Sequence, residues 1–483
     1  VNKRLDTIVR DPIFTRHLKL MRHFSNDSIE PLSDAILSRL CSKILLEIRN
    51  QVQWLDLEAS SIERILLATN YPNLYGLDQS SLIHINKNQI SSLIIDITKK
   101  ENQRSMKYTK TFVFTQIFIQ YPNLQYLNFC PSPSLYVHLS FANSSSIFVS
   151  SNLLELHICL ANFTDCLYIL DGHFNQLRTF YVNISLIQSE NKNVDKEKKL
   201  SNLKCFSLHC YKMTDDYNEV ILPLLYRMSN LEELDLSLFL SVKEKFLDGN
   251  DIKKNLLNQM IQLNKFTFNI YSIVYCHNQI NLQSNEDIQN TFNDYKYNKI
   301  ICSIDYFKKR SSQCRIYSYP YKLKFYNSIT NNFSGELFKC VRQISLLDEK
   351  PFEHEFFLRI EKSFPFLEKI SIHNFQPQNN KSCTESNKDH QHLSIVKYPY
   401  LTNLSLIKVH DDYIEQFLVN TKVSLPNNVH LNISYEPLKR VTNNFTRDAT
   451  QINCTKLKSL CVNVSEICKH VQDYFLHTEI ICL

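Results

Sequence analysis

A short apolar motif recurs along the chain at a nearly constant spacing. Its form is Leu-x-x-Leu-x-Leu, with Phe, Ile or Val also accepted, and each copy reads as a short strand because its last two apolar positions alternate with other residues. Ten copies occur, at Leu124-Leu127-Phe129, Leu153-Leu156-Ile158, Leu177-Phe180-Val182, Leu203-Phe206-Leu208, Leu231-Leu234-Leu236, Leu263-Phe266-Phe268, Val341-Ile344-Leu346, Leu367-Ile370-Ile372, Leu401-Leu404-Leu406 and Leu457-Leu460-Val462. If the two widest gaps hold three and two steps, the mean step is about 28 residues. The strand-like sequence "VHLNI" around Leu431 lies in the second of those gaps.

The segments between the copies have a helical pattern. In "DDYNEVILPLLYRMSNLEELDLSL", Val220, Leu224 and Met228 form one apolar face, and Asp215 or Asp216 is placed to cap the helix. The pattern then changes to the two-residue period of a strand. One helix and one short strand cannot bury their apolar faces alone, whereas stacked copies form a continuous core. The repeat therefore predicts an α/β fold built as a solenoid of irregular strand and helix units of about 24 to 34 residues.

The repeat also predicts the organisation of the chain. We expect a short helix and linker over residues 1–20, N-terminal repeats over 21–270 and C-terminal repeats with a cap over 335–483. Residues 271–334 break the pattern and are rich in aromatic side chains. We interpret them as an irregular insertion, with a helix at about 284–293 and strands after it.

Composition argues against several classes of function. The chain has 4 glycines, and none of them lies in the glycine-rich motifs that bring a backbone close to a phosphate or form a nucleophile elbow. The formal net charge is +6 with both signs mixed along the chain, which does not indicate a nucleic-acid surface. No apolar run reaches the length of a membrane-spanning helix. We expect no enzyme activity, no cofactor, no metal site, no nucleic-acid partner and no membrane partner.

The cysteines indicate a reducing compartment. There are 15, scattered and without a CxxC pair, so we expect free thiols and a cytoplasmic or nuclear protein. The chain begins with Val, and we expect it to be a fragment that lacks its natural start.

The repeat resembles that of leucine-rich-repeat proteins, in the irregular style of intracellular members, over roughly residues 50–270 and 335–483. This resemblance implies strands that line a concave face and helices that cover a convex one. It also implies that the apolar positions of the motif only build the core and that any partner binds on the concave face.

The first residues resemble the last helix of an F-box. "VNKRLDTIV" places Val1, Leu5 and Ile8 on one helical face, and the early Leu-Pro part of an F-box is absent. The strings "RLDTIVRDPIF", "FNQLRTFYVNI", "PFEHEFFLRI" and "RDATQINCTKLKSL" resemble a large F-box-like family of invertebrate proteins. The resemblance implies the substrate-recognition subunit of an SCF-type ubiquitin ligase, with Val1, Leu5 and Ile8 as a remnant of the adaptor-binding helix. It implies a Skp1-type adaptor only if the missing part of the F-box lies upstream.

The candidate binding residues follow from strand geometry. Residues that flank the middle apolar position of a copy point away from the core, toward a protein substrate. We predict partner contacts from Tyr126, Asn128, Glu155, His157, Thr179, Tyr181, Glu233, Asp235, Lys265, Lys369 and Asn403, and the same positions elsewhere hold Cys205, Ser207, Thr267, Ser371 and Ser405. Their mixture of aromatic, polar and charged groups suits a protein better than a phosphate backbone. An intracellular leucine-rich-repeat scaffold without a ubiquitin link fits the same pattern and remains the alternative.

Overall fold

The structure is a computed structural model of the whole chain. It describes residues 17–20, 22–23, 29–30, 34–52, 54–57, 65, 68, 76–78, 90–94, 114–115, 117–129, 138–141, 149–188, 194–195, 197–243, 245–275, 283–307, 311–379, 394–464, 469–475 and 478–482. The chain divides into two compact units. The first contains Val1–Val274 and Asn290–Tyr297, and the second contains Tyr275–Gln289 and Asn298–Leu483.

The first unit is built on one parallel sheet. Its strands are β1 (His17–Leu20), β2 (Arg22–His23), β3 (Ile29–Glu30), β4 (Trp54–Leu57), β5 (Gly76–Asp78), β6 (Ser92–Ile94), β7 (Tyr126–Phe129), β8 (Glu155–Asn162), β9 (Thr179–Leu186), β10 (Cys205–Thr214), β11 (Glu233–Val242) and β12 (Lys265–Val274). In the sheet, β1 is followed by β4 to β12 in chain order, and every neighbouring pair is parallel. The short strands β2 and β3 form a separate antiparallel pair. Strand β1 lies within the segment that we expected to be only a helix and a linker.

Helices connect the strands of this unit, as the repeat predicts. They are Asp34–Arg39, Leu40–Ile44 and Leu45–Ile48 in one continuous run, then Phe163–Leu170, Tyr217–Ile221 with Leu222–Leu225, and Gly249–Ile252 with Lys253–Leu257. The predicted apolar face of Val220, Leu224 and Met228 is fully buried. Asp216 is the N-cap residue of its helix, but its side chain makes no capping hydrogen bond. The side chains of the N-cap residues Asn162 and Asp248 do accept such a bond from a backbone N–H of the first turn.

The second unit repeats this architecture around a smaller parallel sheet. Its strands are β13 (Lys299–Asp305), β14 (Ser312–Tyr319), β15 (Phe325–Ile329), β16 (Gln343–Leu347), β17 (Lys369–Asn374), β18 (Val396–Lys397), β19 (Asn403–Val409), β20 (Val423–Ser424), β21 (Val429–Ile433), β22 (Leu457–Val462) and β23 (Glu479–Cys482). The sheet order is β15, β16, β17, β19, β21, β22, β23, all parallel. Its helices are Asn285–Asn290, of which all but the last residue belongs to this unit, and His354–Ser363, Asp411–Leu418, Tyr435–Val441, Asp448–Cys454 and Lys469–Tyr474.

The two widest gaps in the repeat have different explanations. The gap before Leu457 holds one repeat strand, β21, as the "VHLNI" sequence predicts. The longer gap holds the antiparallel pair β13 and β14 and then β15, which is parallel to β16. Part of the predicted insertion therefore forms a hairpin rather than further copies of the repeat.

The recurring motif forms the core of both units. All three apolar positions are buried in all ten copies. In the second unit they belong to one cluster with residues from the connecting helices, including Phe357, Phe417 and Leu438. The sheets thus have one face buried against helices, which explains why these positions accept only apolar side chains.

A tight turn precedes many of the strands and explains the recurrent Tyr-Pro sequence. In it, the backbone N–H of the first motif residue donates to the carbonyl three residues earlier, as from Leu124 to Tyr121 at 3.2 Å and from Leu401 to Tyr398 at 3.1 Å. Both tyrosines are 2 % exposed. The turn buries an apolar residue at each end, and proline disfavours continuation of the preceding helix.

Candidate interaction surface

Each sheet has an outward face that carries the residues between the buried positions. We call this surface the polar face. In β7 the strand alternates between half-buried and buried residues, and β16, β17 and β21 alternate in the same way. Because parallel neighbours are in register, equivalent residues of successive strands form rows across the sheet.

In the first unit the predicted binding residues fall into two such rows. The first row is Tyr126, Glu155, Thr179, Cys205, Glu233 and Lys265, and the second is Asn128, His157, Tyr181, Ser207, Asp235 and Thr267. A third row that we did not predict continues it with Cys159, Asn183, His209, Ser237 and Asn269. It lies two residues further along each strand, where the strands run longer than the motif.

An aromatic stack lies at the centre of this polar face. The ring of His157 is stacked on that of Tyr181 with centroids 4.3 Å apart, and Tyr126 lies 5.4 Å from His157 on its other side. Glu155 Oε1 is 2.7 Å from His157 Nε2. Tyr181 is 39 % exposed, so the stack presents an aromatic surface to solvent. Partial burial raises the pKa of the Tyr181 hydroxyl, which keeps it a neutral donor.

Asp235 is the centre of a second cluster on the same face. Its carboxylate accepts hydrogen bonds from Thr267 Oγ1 at 2.7 Å and Ser207 Oγ at 3.2 Å, and it is 2.8 Å from His209 Nε2. These partners come from the two neighbouring strands, so the cluster spans β10 to β12. Ser207 is buried, whereas His209 and Asp235 remain partly exposed, so the cluster is held in place while part of it still faces solvent.

The last two residues of the first row, Glu233 and Lys265, form an ion pair. Lys265 Nζ donates to Glu233 Oε2 at 2.8 Å, and this bond raises the pKa of the lysine ammonium. Partial burial raises the pKa of the neighbouring Cys205 thiol, so this cysteine is a weak nucleophile. The polar face of the first unit therefore largely satisfies its own hydrogen bonds and charges.

The second unit places Lys369 and Asn403 in one row of its own polar face. That row runs Gln343, Lys369, Asn403, His430, Ser459 and Glu479, and a second row runs Ser345, Ser371, Ser405, Asn432, Cys461 and Ile481. A groove of about 280 Å³ lies between and along these rows. The second row contributes the small side chains of Ser371, Ser405, Asn432 and Cys461 to its lining.

Val1, Leu5 and Ile8 lie outside the residues that the structure describes. Within the described part of the chain, no three His, Cys, Asp or Glu side chains are grouped so as to hold a metal ion. No helix among the same residues is long and apolar enough to cross a membrane.

No disulfide joins the cysteines of the described segments. Five of them are buried, four are half-buried, and Cys340 and Cys482 are exposed. Cys340 lies in the bend that leads to Val341.

Comparison with known proteins adds no assignment: no family model matches the chain, and no curated protein matches it.

Proposed function

We propose that this chain is a non-catalytic protein-binding module, a leucine-rich-repeat solenoid that recognises a partner through the polar faces of its sheets. One observation carries the proposal. On each sheet one face is filled by the apolar motif, while the other carries in-register rows of aromatic, amide, hydroxyl and charged groups, most of them half-buried or exposed. In the solenoid, these rows would be the concave surface.

The composition of the polar face supports a protein partner. Interface centres are enriched in aromatic residues and carry few unpaired charges. The stack of Tyr126, His157 and Tyr181 supplies the aromatic surface, and the bonds to Asp235 hold neighbouring polar groups in place. Side chains that are already held lose little conformational freedom on binding, which favours affinity.

The role in ubiquitin transfer is the more specific part of the proposal. It is supported by the resemblance of the first residues and of the repeat to F-box/leucine-rich-repeat proteins. In that role the chain binds a substrate, and a Skp1-type adaptor binds only if a complete F-box precedes Val1. A scaffold without a ubiquitin link is the alternative, and it shares the same binding face.

The test compares partner capture by the native protein and by variants of its face. We expect Tyr181→Ala combined with Asp235→Ala to reduce the captured partners several-fold, measured by affinity purification from the source cells and quantitative mass spectrometry. Ile261→Ala is the control, since this residue is 91 % exposed, lies in a turn outside the strands and belongs to none of the rows of the polar face. Equal capture by both variants would refute the proposed face. A Skp1-type adaptor in the same eluates would support the ligase role, whereas partners without it would support the scaffold.

A further inference from the structure

The polar groups of the second unit's groove differ from those of the first unit in one respect. On the first unit's polar face, Glu155, Glu233 and Asp235 each contact a neighbouring side chain. In the groove, the side chains of Gln343, Ser371, Ser405 and Asn432 have no hydrogen-bond partner among the described residues. These groups are available to a ligand.

The groove crosses the strands instead of following one of them. Its lining comes from β16, β17, β19, β21 and β22, five neighbouring strands of the sheet. At a strand spacing of about 4.8 Å, its length is about 19 Å. An extended polypeptide rises about 3.3 Å per residue, so about six residues would fill it. A volume of about 280 Å³ spread over this length is narrow and shallow, which suits an extended chain better than a compact molecule.

The lining groups match the main chain of a peptide. The amide side chains of Gln343 and Asn432 each offer both a donor and an acceptor, and the hydroxyls of Ser371 and Ser405 can act as either. Asn403 offers its amide N–H groups, since its Oδ1 already accepts from Thr402 Oγ1 at 2.9 Å. Since the backbone groups of the strands are used in the parallel ladder, recognition across the strands falls to these side chains.

The groove also has an uncompensated charge. Lys369 is its one permanently charged lining residue, it is exposed, and it has no carboxylate partner among the described residues. The neighbouring Glu368 side chain lies instead near Arg342, with Oε1 3.4 Å from Nε. His430 is bonded through Nδ1 to Ser459 Oγ at 2.6 Å.

We propose that this groove binds an extended segment of a partner polypeptide, about six residues long, with an acidic side chain that pairs with Lys369. The inference rests on the proposed function and specifies the ligand of one part of the binding surface.

The first experiment selects peptides from a random display library on the whole chain. The baits are the native chain, Lys369→Glu and Lys362→Glu. The control makes the same charge change on an exposed residue in the last turn of the helix His354–Ser363 in the same unit. We expect the native chain and the control to enrich peptides with Asp or Glu at one position of a polar sequence. Lys369→Glu should lose this preference or replace it with Lys or Arg.

The second experiment measures affinity for the most enriched peptide and for its amide counterpart, with Asn or Gln in place of the acid. By fluorescence anisotropy, Lys369→Glu should weaken the acidic peptide about tenfold or more, the effect of one charge-assisted hydrogen bond, and change the amide peptide little. Ser405→Phe, which fills the floor of the groove, should weaken both peptides. Circular dichroism verifies that each variant is folded.

The outcomes separate the groove from the general proposal. An enriched sequence without an acid, no enriched sequence, or equal effects of Lys369→Glu and Lys362→Glu would overturn the groove inference. If Tyr181→Ala abolishes binding of the enriched peptides but Lys369→Glu and Ser405→Phe leave it unchanged, the groove inference fails and the protein-binding function stands. If no peptide is enriched and the affinity purification also captures no face-dependent partner, both proposals fail.

Discussion

Arg227 provides a sharp test of how the first unit is stabilised, because this arginine is 1 % exposed. Its Nε donates to the carbonyl of Lys198 at 2.7 Å, and its Nη2 donates to Asp171 Oδ1. Asp171 is 37 % exposed, so the two members of the pair differ greatly in solvation. Each change should therefore have a different cost.

Removal of the carboxylate should be the more damaging change. Asp171→Ala leaves a buried guanidinium without its counter-charge, which typically costs about 3 to 5 kcal/mol. Water can reach the exposed side of this site, so we expect about 3 kcal/mol. Arg227→Met keeps most of the buried stem and leaves a carboxylate that water can solvate. It loses mainly the bond to the Lys198 carbonyl, and we expect about 2 kcal/mol.

The decisive measurement is whether the double variant is more or less stable than Asp171→Ala. If the stranded charge causes the loss, Arg227→Met together with Asp171→Ala should be more stable than Asp171→Ala alone. The assay is urea unfolding followed by tryptophan fluorescence, since Trp54, the only tryptophan of the chain, lies on β4 of the same unit. Because two units can unfold separately, midpoints are compared with those from circular dichroism. A double variant that is less stable than Asp171→Ala would refute the reasoning.

Three further predictions concern single positions. Burial raises the pKa of Asp305 above its ordinary 3.8, so the folded state binds more protons than the unfolded state. The contribution of this residue to stability therefore falls as pH rises from about 4. Asp305→Asn should reduce the loss of melting temperature between pH 4 and pH 7, and an unchanged loss would contradict this. At Gly249 an added Cβ would clash with the carbonyl oxygen of Thr291, so Gly249→Ala should lower the free energy of unfolding by about 1 to 3 kcal/mol in urea titrations, and a neutral effect would contradict the close approach. Leu234 is 1 % exposed at the middle of its motif, so Leu234→Ala should cost about 2 to 5 kcal/mol by the same assay, against almost nothing for Ile261→Ala.

Much of the candidate surface could be predicted because side chains alternate along a strand. Once Leu127 and Phe129 are assigned to the core, Tyr126 and Asn128 must point the other way. The same argument placed Lys369 and Asn403 correctly on the polar face of the second unit. Their role in binding stays a prediction.

The contacts between those side chains could not be predicted. Asp235 and His209 are 26 positions apart, and they meet only because β10 and β11 pair in a particular register. The third row was missed because the motif ends before the strands do. The groove was missed because it depends on small residues from several repeats lying side by side.

The periodic pattern alone determined the alternation of helices and strands, the buried positions and the residues that face outward, since each of these follows from local geometry within one repeat. The antiparallel hairpin of β13 and β14, the inclusion of β1 in the first sheet, and the division into two units were decided by tertiary structure. Tertiary structure also decided that the polar groups on the first unit's face bond to one another, whereas several in the second unit's groove have no partner among the described residues. These features depend on contacts between segments that are distant in sequence, and repeats of unequal length leave the identity of those contacts open until the chain is packed.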